Sequence, residues 1–556
     1  MEPKLNLSIK RIDTVREVLE QARNEVPGKN AFEYRAHGGV VTVTYSEFYK
    51  EALYMCNAVS GRGYASGVHI ACIGNNSYRW LVAFLSTLCS NNIFVPVDKD
   101  LPEDDLKTVL SHSDSTVVFC DGKYYDLVKS LADAEGKITM IVCFDGDKGV
   151  AFDDMMKEGK ALYNEGKKEF PAINYDMNGM KMLVYTSGTT GNPKGVMLSE
   201  YNIVSMIFYG MQVQVLYDRC LSVLPYNHTY ESIIGIIVSL HNHTTICINE
   251  SLRAVLPNLN HFKPDHMFVV PAFAELFYKR VWANIEEKGK TGLIKKMIKL
   301  SNMLRKIGID KRRSFFKQIH SAFGGKLRLI VCGGAPIRSE VGQFFTDIGI
   351  DLLNGYGITE CSPLISVNQE ETNDYDSVGV LIPCLKLQIE GCDENGNGEI
   401  CVKGKNVMKG YYKQPEETAA VIKDGWFHTG DLGHYKDGRL YITGRIKNLI
   451  VLANGKNIYP EEIENYITAI SYVKEAVVYS VKDEKGAEVG LCAEIFPDYD
   501  TLDNDEAKIA EKIKADVSAA VADLPQYKHI STVVVRKTEF PKTTSRKIKR
   551  REVIGK

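Results

Sequence analysis

The densest chemical signal in this chain of 556 residues is the run Tyr185-Thr-Ser-Gly-Thr-Thr-Gly-Asn-Pro-Lys-Gly-Val-Met-Leu-Ser199. Gly188 lets backbone N–H groups approach an anion. The hydroxyls of Thr186, Ser187, Thr189 and Thr190 and the ammonium of Lys194 supply further donors and positive charge. The run is no Walker A loop, because Pro193 stands at the second glycine position and Gly195 follows the lysine in place of Ser or Thr. It follows a strand-like stretch and precedes a helical pattern, the context in which a glycine-rich loop cradles phosphates. A second run, Asn354-Gly355-Tyr356-Gly357-Ile358-Thr359-Glu360, joins an aromatic face that suits a purine to a carboxylate that suits a hard cation bridging phosphate oxygens. In Gly425-Trp-Phe-His-Thr-Gly-Asp431 the ionised Asp431 can accept from two hydroxyls at once.

Other runs are weaker when taken alone. Gly333-Gly334-Ala335-Pro336 ends a strand, Arg445 and Lys447 form a basic pair, and Pro541-Lys-Thr-Thr-Ser-Arg-Lys-Ile-Lys-Arg550 is a basic segment. His228 sits in Leu224-Pro-Tyr-Asn-His-Thr-Tyr-Glu231. Each has a plain structural alternative: a tight glycine turn with a solvated glutamate, a strand-ending loop, a hairpin-capping aspartate, a surface Arg/Lys pair, a solvated tail, or a hydrogen-bonded turn histidine.

The elements that must hold these groups follow from periodicity. Val68–Ile73, Phe94–Val97, Thr116–Cys120 and Ile141–Phe144 are expected as buried strands, separated by helical patterns at Arg79–Cys89 and Glu103–Ser111. Such alternation argues for β-α-β units around a parallel sheet. A second set comprises Met182–Thr186, Cys220–Pro225, Thr244–Ile248, Met267–Val270 and Leu327–Cys332. Between about 378 and 445, short alternating runs punctuated by Asp393–Gly398 and Lys436-Asp437-Gly438 predict hairpins. Beyond Arg445, Pro460 opens a helix with Ile463, Tyr466, Ile467 and Ile470 on its apolar face, and a later helix carries Ile509, Ile513, Val517 and Val521.

Taken together and in this order, the runs resemble the motifs of the adenylate-forming superfamily, which includes acyl-CoA synthetases, peptide-synthetase adenylation domains and beetle luciferases. The resemblance implies an α/β fold: a large N-terminal domain over 1–444, of two α/β subdomains plus a β-rich subdomain, and a small mobile α+β C-terminal domain over 445–556. It implies that Thr186, Ser187, Gly188, Thr189, Thr190 and Lys194 hold ATP phosphates. Gly334, Ala335 and Pro336 flank the adenine, and Asn354, Gly355, Tyr356 and Gly357 form its platform. Thr359 contacts phosphate, Glu360 holds Mg²⁺, Asp431 holds the ribose, Arg445 reaches ribose or phosphate, and Lys447 is a hinge. Lys547 matches the lysine that neutralises charge as a carboxylate attacks ATP. Arg546 stands where the family usually has glycine, which leaves Lys542 and Arg546 as competitors for that role. The family rotates its C-terminal domain between half-reactions, which brings Gly455 and Lys456 toward coenzyme A.

Within the family, Pro225-x-x-His228-x-x-Glu231 and Phe315–Pro336 resemble long-chain fatty acyl-CoA synthetases, with His228 at the acyl and pyrophosphate end. The implied activity is ATP-dependent fatty acid–CoA ligation through an acyl-adenylate. Aryl or medium-chain acids, a separate carrier protein as acceptor, and a non-catalytic nucleotide-binding protein are the alternatives.

Composition limits the rest. With 68 basic against 70 acidic residues, no chain-wide attraction to nucleic acid is expected. The 13 cysteines include no Cys-x-x-Cys pair, no signal core opens the chain, and Trp80–Cys89 is about half the length of a membrane span. A cytoplasmic protein with reduced thiols is expected. Residues 288–317 hold eleven Lys/Arg against Asp310 alone, with Leu293, Met297, Leu300 and Leu304 at helical spacing. A basic amphipathic helix of this kind can lie on an anionic bilayer; a helix with a solvated charged face is the ordinary alternative.

Overall fold

The structure is a computed structural model that describes residues 4–36, 38–186, 193–451, 457–482, 488–499, 502, 506–542 and 548–554. The chain divides into two compact units: residues 1–386 with 403–425, and residues 387–402 with 426–556.

The first unit contains two large sheets. One has the strand order 410–411, 194–199, 180–186, 91–97, 66–73, 117–120, 140–143, 150–151. From Met180–Thr186 to Val150–Ala151 the neighbours run parallel. Strands such as Val117–Cys120 and Met140–Cys143 are buried along their whole length, as expected where helices cover both faces. Ala71, Val95, Val118 and Leu183 pack with Leu106, Val109 and Leu110 of the helix Glu103–His112 and with Val128 and Leu131. The other sheet has the order 380–381, 364–367, 351–357, 329–332, 266–269, 219–222, 245–248, 30–36, 39–44. Its central strands are parallel and in register, with Val269, Cys332 and Asn354 side by side. The carboxyl ends of Arg219–Ser222, His266–Val269 and Leu329–Cys332 therefore face one way, the edge at which α/β sheets bind ligands.

The expected strands are all present, with two corrections of grouping and connection. Met180–Thr186 belongs to the first sheet, beside Asn91–Val97, and not to the second set. A mostly apolar strand reveals its burial but not its neighbour, because pairing is non-local. The glycine-rich loop also does not run directly into a helix. It turns back into the strand Lys194–Ser199, antiparallel to Met180–Thr186, and only then does Ser199 cap the helix Glu200–Val213. That cap is reciprocal: Asn202 N–H donates to Ser199 Oγ at 3.1 Å and Ser199 N–H to Asn202 Oδ1 at 2.8 Å. The Asn202 amide also donates to the carbonyls of Lys405 and Val407 at 2.8 and 2.9 Å, which fixes the approach to Gly410-Tyr411.

In the second unit, Trp426–Lys436 pairs with Gly398–Gly404 on one side and, through the two-residue turn Asp437-Gly438, with Arg439–Arg445 on the other. Both predicted hairpin signals fall between strands. The C-terminal part is a three-stranded sheet of Val473–Lys482, Glu488–Pro497 and Thr532–Val535, covered by the helices Pro460–Thr468 and Glu506–Ala520. Ile463, Ile467, Ile509, Ile513, Val517 and Val521 fill its core, while Tyr466 is exposed. All thirteen cysteines are free thiols; eleven are buried, Cys384 is half-buried and Cys392 is exposed.

Candidate active site

Three predicted runs of the first unit lie at or after strand ends of the second sheet, and the glycine-rich run follows Met180–Thr186 of the first. Thr186 closes one arm of the hairpin and Lys194 opens the other as its register partner, so the two flank the loop; Ser187, Gly188, Thr189 and Thr190 lie outside the described residues. The Lys194 ammonium is ion-paired with Glu417 and lies 5.0 Å from the centre of the Tyr411 ring. Tyr411 in turn donates its hydroxyl to Glu360 Oε1 at 2.9 Å, and the backbone N–H of Met408 donates to the Glu360 carbonyl at 2.8 Å. Burial and the adjacent Glu360 push the Tyr411 phenol upward, so it remains a proton donor at neutral pH. A cation, an aromatic face and a carboxylate are thus linked across three distant segments. Sequence reasoning found Lys194 and Glu360 but missed Tyr411 and Glu417. Gly410-Tyr411 forms a two-residue strand against Val196 and Met197, a placement that a lone Gly-Tyr-Tyr gives no sign of.

Glu360 follows the strand Asp351–Gly357, in the turn Thr359–Cys361. Gly357 is required for a steric reason: a Cβ there would sit 1.9 Å from the Pro363 carbonyl oxygen. Tyr356 is half-buried opposite Ser366. Asn354 is buried next to Cys332, so the turn Gly333-Gly334-Ala335-Pro336 and the run Asn354–Gly357 leave adjacent strands side by side. The single carboxylate of Glu360, steadied through one oxygen, fits Mg²⁺, which takes one or two carboxylates and completes its shell with phosphate oxygens and water.

His228 is half-buried in the segment after Arg219–Ser222. The Asn76 side chain clamps that segment, accepting from Tyr226 N–H at 3.1 Å and donating to the Leu224 carbonyl at 2.7 Å. The His228 carbonyl accepts from the N–H groups of Glu231 and Ser232 at 3.0 and 2.9 Å, and the π-helix Tyr230–Val238 follows. Tyr230 ties this helix to the strand Leu329–Cys332, donating to the Val331 carbonyl at 2.8 Å. Glu231 is fully buried and accepts from Ser222 Oγ through one oxygen, while the other has no hydrogen-bond partner. Burial pushes its carboxyl up to about 8, against the Ser222 bond that lowers it. At neutral pH Glu231 is mostly a neutral acid. Gly235, one turn on, leaves room for it: a Cβ there would come within 2.8 Å of that carboxyl.

In the second unit, Asp431 is buried on Trp426–Lys436 with Arg445 as its cross-strand partner, Arg445 Nε lying 2.7 Å from Asp431 Oδ1. Thr429 Oγ1 accepts from Asp431 N–H at 3.1 Å. Beside them, His428 Nδ1 lies 2.9 Å from Glu399 Oε2 and 3.4 Å from Cys401 Sγ. Donor atoms of Glu390, Cys401 and His428 approach within 4.8 Å of one another, but Glu399 already engages the imidazole. Lys447 is exposed in the turn Ile446–Asn448. Gly455, Lys456, Arg546 and Lys547 lie outside the described residues. The base of the last segment is described: Lys542 bridges to Ile548, and its ammonium lies 2.5 Å from Glu475 and 2.8 Å from Glu539. Both carboxylates hold Lys542 in a structural pair.

The profile of the AMP-binding enzyme family matches residues 19–412, and that of the AMP-binding enzyme C-terminal domain matches residues 447–556. The chain belongs to the AMP-binding enzyme family. As a member it is an ATP-dependent acid–thiol ligase. It is 29% identical over 515 residues to long-chain-fatty-acid–CoA ligase 5 of Rattus norvegicus, covering 84% of this chain and 73% of the relative. It is 28% identical over 481 residues to long chain acyl-CoA synthetase 4 of Arabidopsis thaliana, covering 80% and 72%. Among solved structures, the anthranilate CoA ligase AuaEII in complex with anthranoyl-AMP superimposes with a TM-score of 0.77 at 18% identity, covering 100% of this chain and 98% of that one. O-succinylbenzoate coenzyme A synthetase from Bacillus subtilis, in complex with AMP, gives 0.72 at 21%, covering 96% and 97%. These likenesses confirm the fold of this AMP-binding enzyme.

Proposed function

We propose that this AMP-binding enzyme is a long-chain fatty acid–CoA ligase that works through an acyl-adenylate. The Lys194–Tyr411–Glu360 network beside the glycine-rich hairpin carries the adenylation reading, and the kinship with long-chain ligases over most of the chain supports the acyl class.

A carboxylate is a poor acyl donor because its charge repels nucleophiles. In the first step a carboxylate oxygen attacks the α-phosphorus of ATP; the new P–O bond forms as the bond to the β-phosphate oxygen breaks, and pyrophosphate leaves. The chain's task is alignment and charge neutralisation. Thr186, Ser187, Gly188, Thr189 and Thr190 hold the phosphates, and Lys194 exchanges Glu417 for a phosphate oxygen. Thr359 contacts phosphate, while Glu360, oriented by Tyr411, would hold Mg²⁺, which would offset the negative charge of the phosphates. Tyr356 stacks on adenine between Gly334, Ala335, Pro336 and the run Asn354–Gly357. Asp431, braced by Arg445, accepts from the ribose hydroxyls. His228 lies at the acyl and pyrophosphate end. Lys547 neutralises the attacking carboxylate's charge; Lys542, committed to Glu475 and Glu539, does not compete for that role. In the second step the coenzyme A thiolate attacks the acyl carbon, forming the thioester as AMP departs, with Gly455 and Lys456 near the pantetheine and Lys447 as the hinge between the two steps.

ATP–pyrophosphate exchange over a panel of fatty, medium-chain and aryl acids, with mass detection of thioesters, tests this. Exchange strongest with long-chain acids plus a CoA thioester is the expected result. Exchange confined to aryl or short acids, or thioester formed only on a carrier protein, would overturn the acyl or acceptor assignment. No exchange with any acid would overturn catalysis altogether.

A further inference from the structure

We propose that the helix Thr291–Lys306 and the turn after it form a peripheral docking face for an anionic lipid bilayer. The sequence pattern suggested a single apolar stripe of Leu293, Met297, Leu300 and Leu304; the structure splits it. Met297 and Leu304 are half-buried, whereas Leu293 and Leu300 are 54% and 48% exposed. Met303, Ile307 and Ile309 join them on the outside at 65%, 70% and 42%. Leu293, Leu300 and Ile307 repeat every seven residues and so stack along one side, with Met303 between the last two.

The inward side is already occupied. Ser301 is buried, and Asn302 donates to Asp347 at 2.9 Å on the neighbouring helix Ser339–Ile348. The outward stripe thus has no covering element among the described residues. Its flank is cationic: Lys295, Lys296, Lys299 and Lys306 are exposed, and none pairs with a described carboxylate. Across 288–317 eleven Lys/Arg stand against Asp310 alone.

Exposed leucine, isoleucine and methionine beside lysines that meet no described carboxylate match an interface with acyl chains below and anionic headgroups above, the arrangement of a helix lying in the membrane plane. No described helix is long and apolar enough to cross a membrane, so the contact is peripheral. A second copy docking through the same face would set one lysine array against another, so the charge pattern disfavours self-pairing. The face does not depend on the acyl class assigned above, and its test uses no substrate.

The full chain is floated with vesicles of phosphatidylcholine alone or mixed with about one-quarter phosphatidylglycerol. The expected result is binding to the anionic vesicles and weak binding to the neutral ones. The triple change Lys295→Gln, Lys296→Gln and Lys299→Gln should weaken it by about a hundredfold, at roughly fivefold per lysine. Leu300→Ser with Met303→Ser and Ile307→Ser should weaken it at least tenfold, with thermal stability retained because these side chains are exposed. Failure of the unmodified chain to bind, or unchanged binding by either variant, would overturn the proposal. Loss with the lysine variant alone would reduce the face to a polyanion surface. A lipid-free dimer that the serine variant dissociates, without vesicle binding, would assign the face to a second copy.

Discussion

The chain has two basic islands, and they handle charge in opposite ways. In the C-terminal island three cations meet carboxylates: Lys542 meets Glu475 and Glu539, Lys549 meets Glu552 at 2.9 Å, and Arg550 meets Glu464. Around Thr291–Lys306 the lysines are exposed and meet no described carboxylate, Lys295 lying over the Trp282 ring at 6.0 Å. Paired cations are committed to the chain's own carboxylates, whereas those that meet none remain available to an outside anion. Glu231 is a third case, a buried carboxyl with no cation, which burial keeps protonated. A counter-ion, water and a proton are the three ways this protein settles a charge.

The largest effect should come from Lys547, within the paired island. Lys547→Ala should lower adenylate formation by about two to three orders of magnitude, as for loss of one positioned donor to developing charge, while thioester formation from supplied acyl-AMP is largely retained. Equal loss of both half-reactions would break the distinction between a base that holds and a lysine that acts. Next, Glu464→Ala leaves the half-buried Arg550 guanidinium with the Val478 carbonyl at 3.2 Å and the more distant Glu461 carboxylate at 4.0 Å. It should destabilise the second unit by about 3 kcal/mol, read as a fall in its melting temperature.

Glu231 sharpens the contrast through pH. Its folded value of about 8 lies above the ordinary 4.5, so between those limits the folded chain binds a proton that the unfolded chain releases. Stability should therefore fall as pH rises through that window, by at most about 1.4 kcal/mol per pH unit from this group. Glu231→Gln keeps a neutral side chain of similar shape and should flatten the decline in melting temperature between about pH 5 and pH 8. An unchanged slope would mean that Glu231 is ionised. Smallest of all, Lys296→Gln with Lys299→Gln should change stability by less than about 0.5 kcal/mol, since both side chains are exposed and neither meets a described carboxylate.

How much was legible followed the range of the interaction. Strand and helix identities were readable because burial writes itself locally: Val117–Cys120 is apolar throughout, and Ile509, Ile513, Val517 and Val521 recur once per helical turn. Pairing was not, so the hairpin at 180–199 and the sheet membership of its first strand had to come from the structure. The motif residues Lys194, Glu360 and Asp431 were visible by type and spacing, whereas Tyr411 and Glu417 reach Glu360 and Lys194 only by folding. Glu231 was visible as a letter in a run, but its protonation depends on Ser222, on the room left at Gly235 and on complete burial.

The distribution of thiols has a practical consequence. Eleven cysteines are buried and Cys384 is half-buried, while Cys392 alone is exposed, in the strand-linking segment of the second unit. A maleimide fluorophore added to the native chain should react first there, giving a site-specific optical reporter on the second unit without an engineered background.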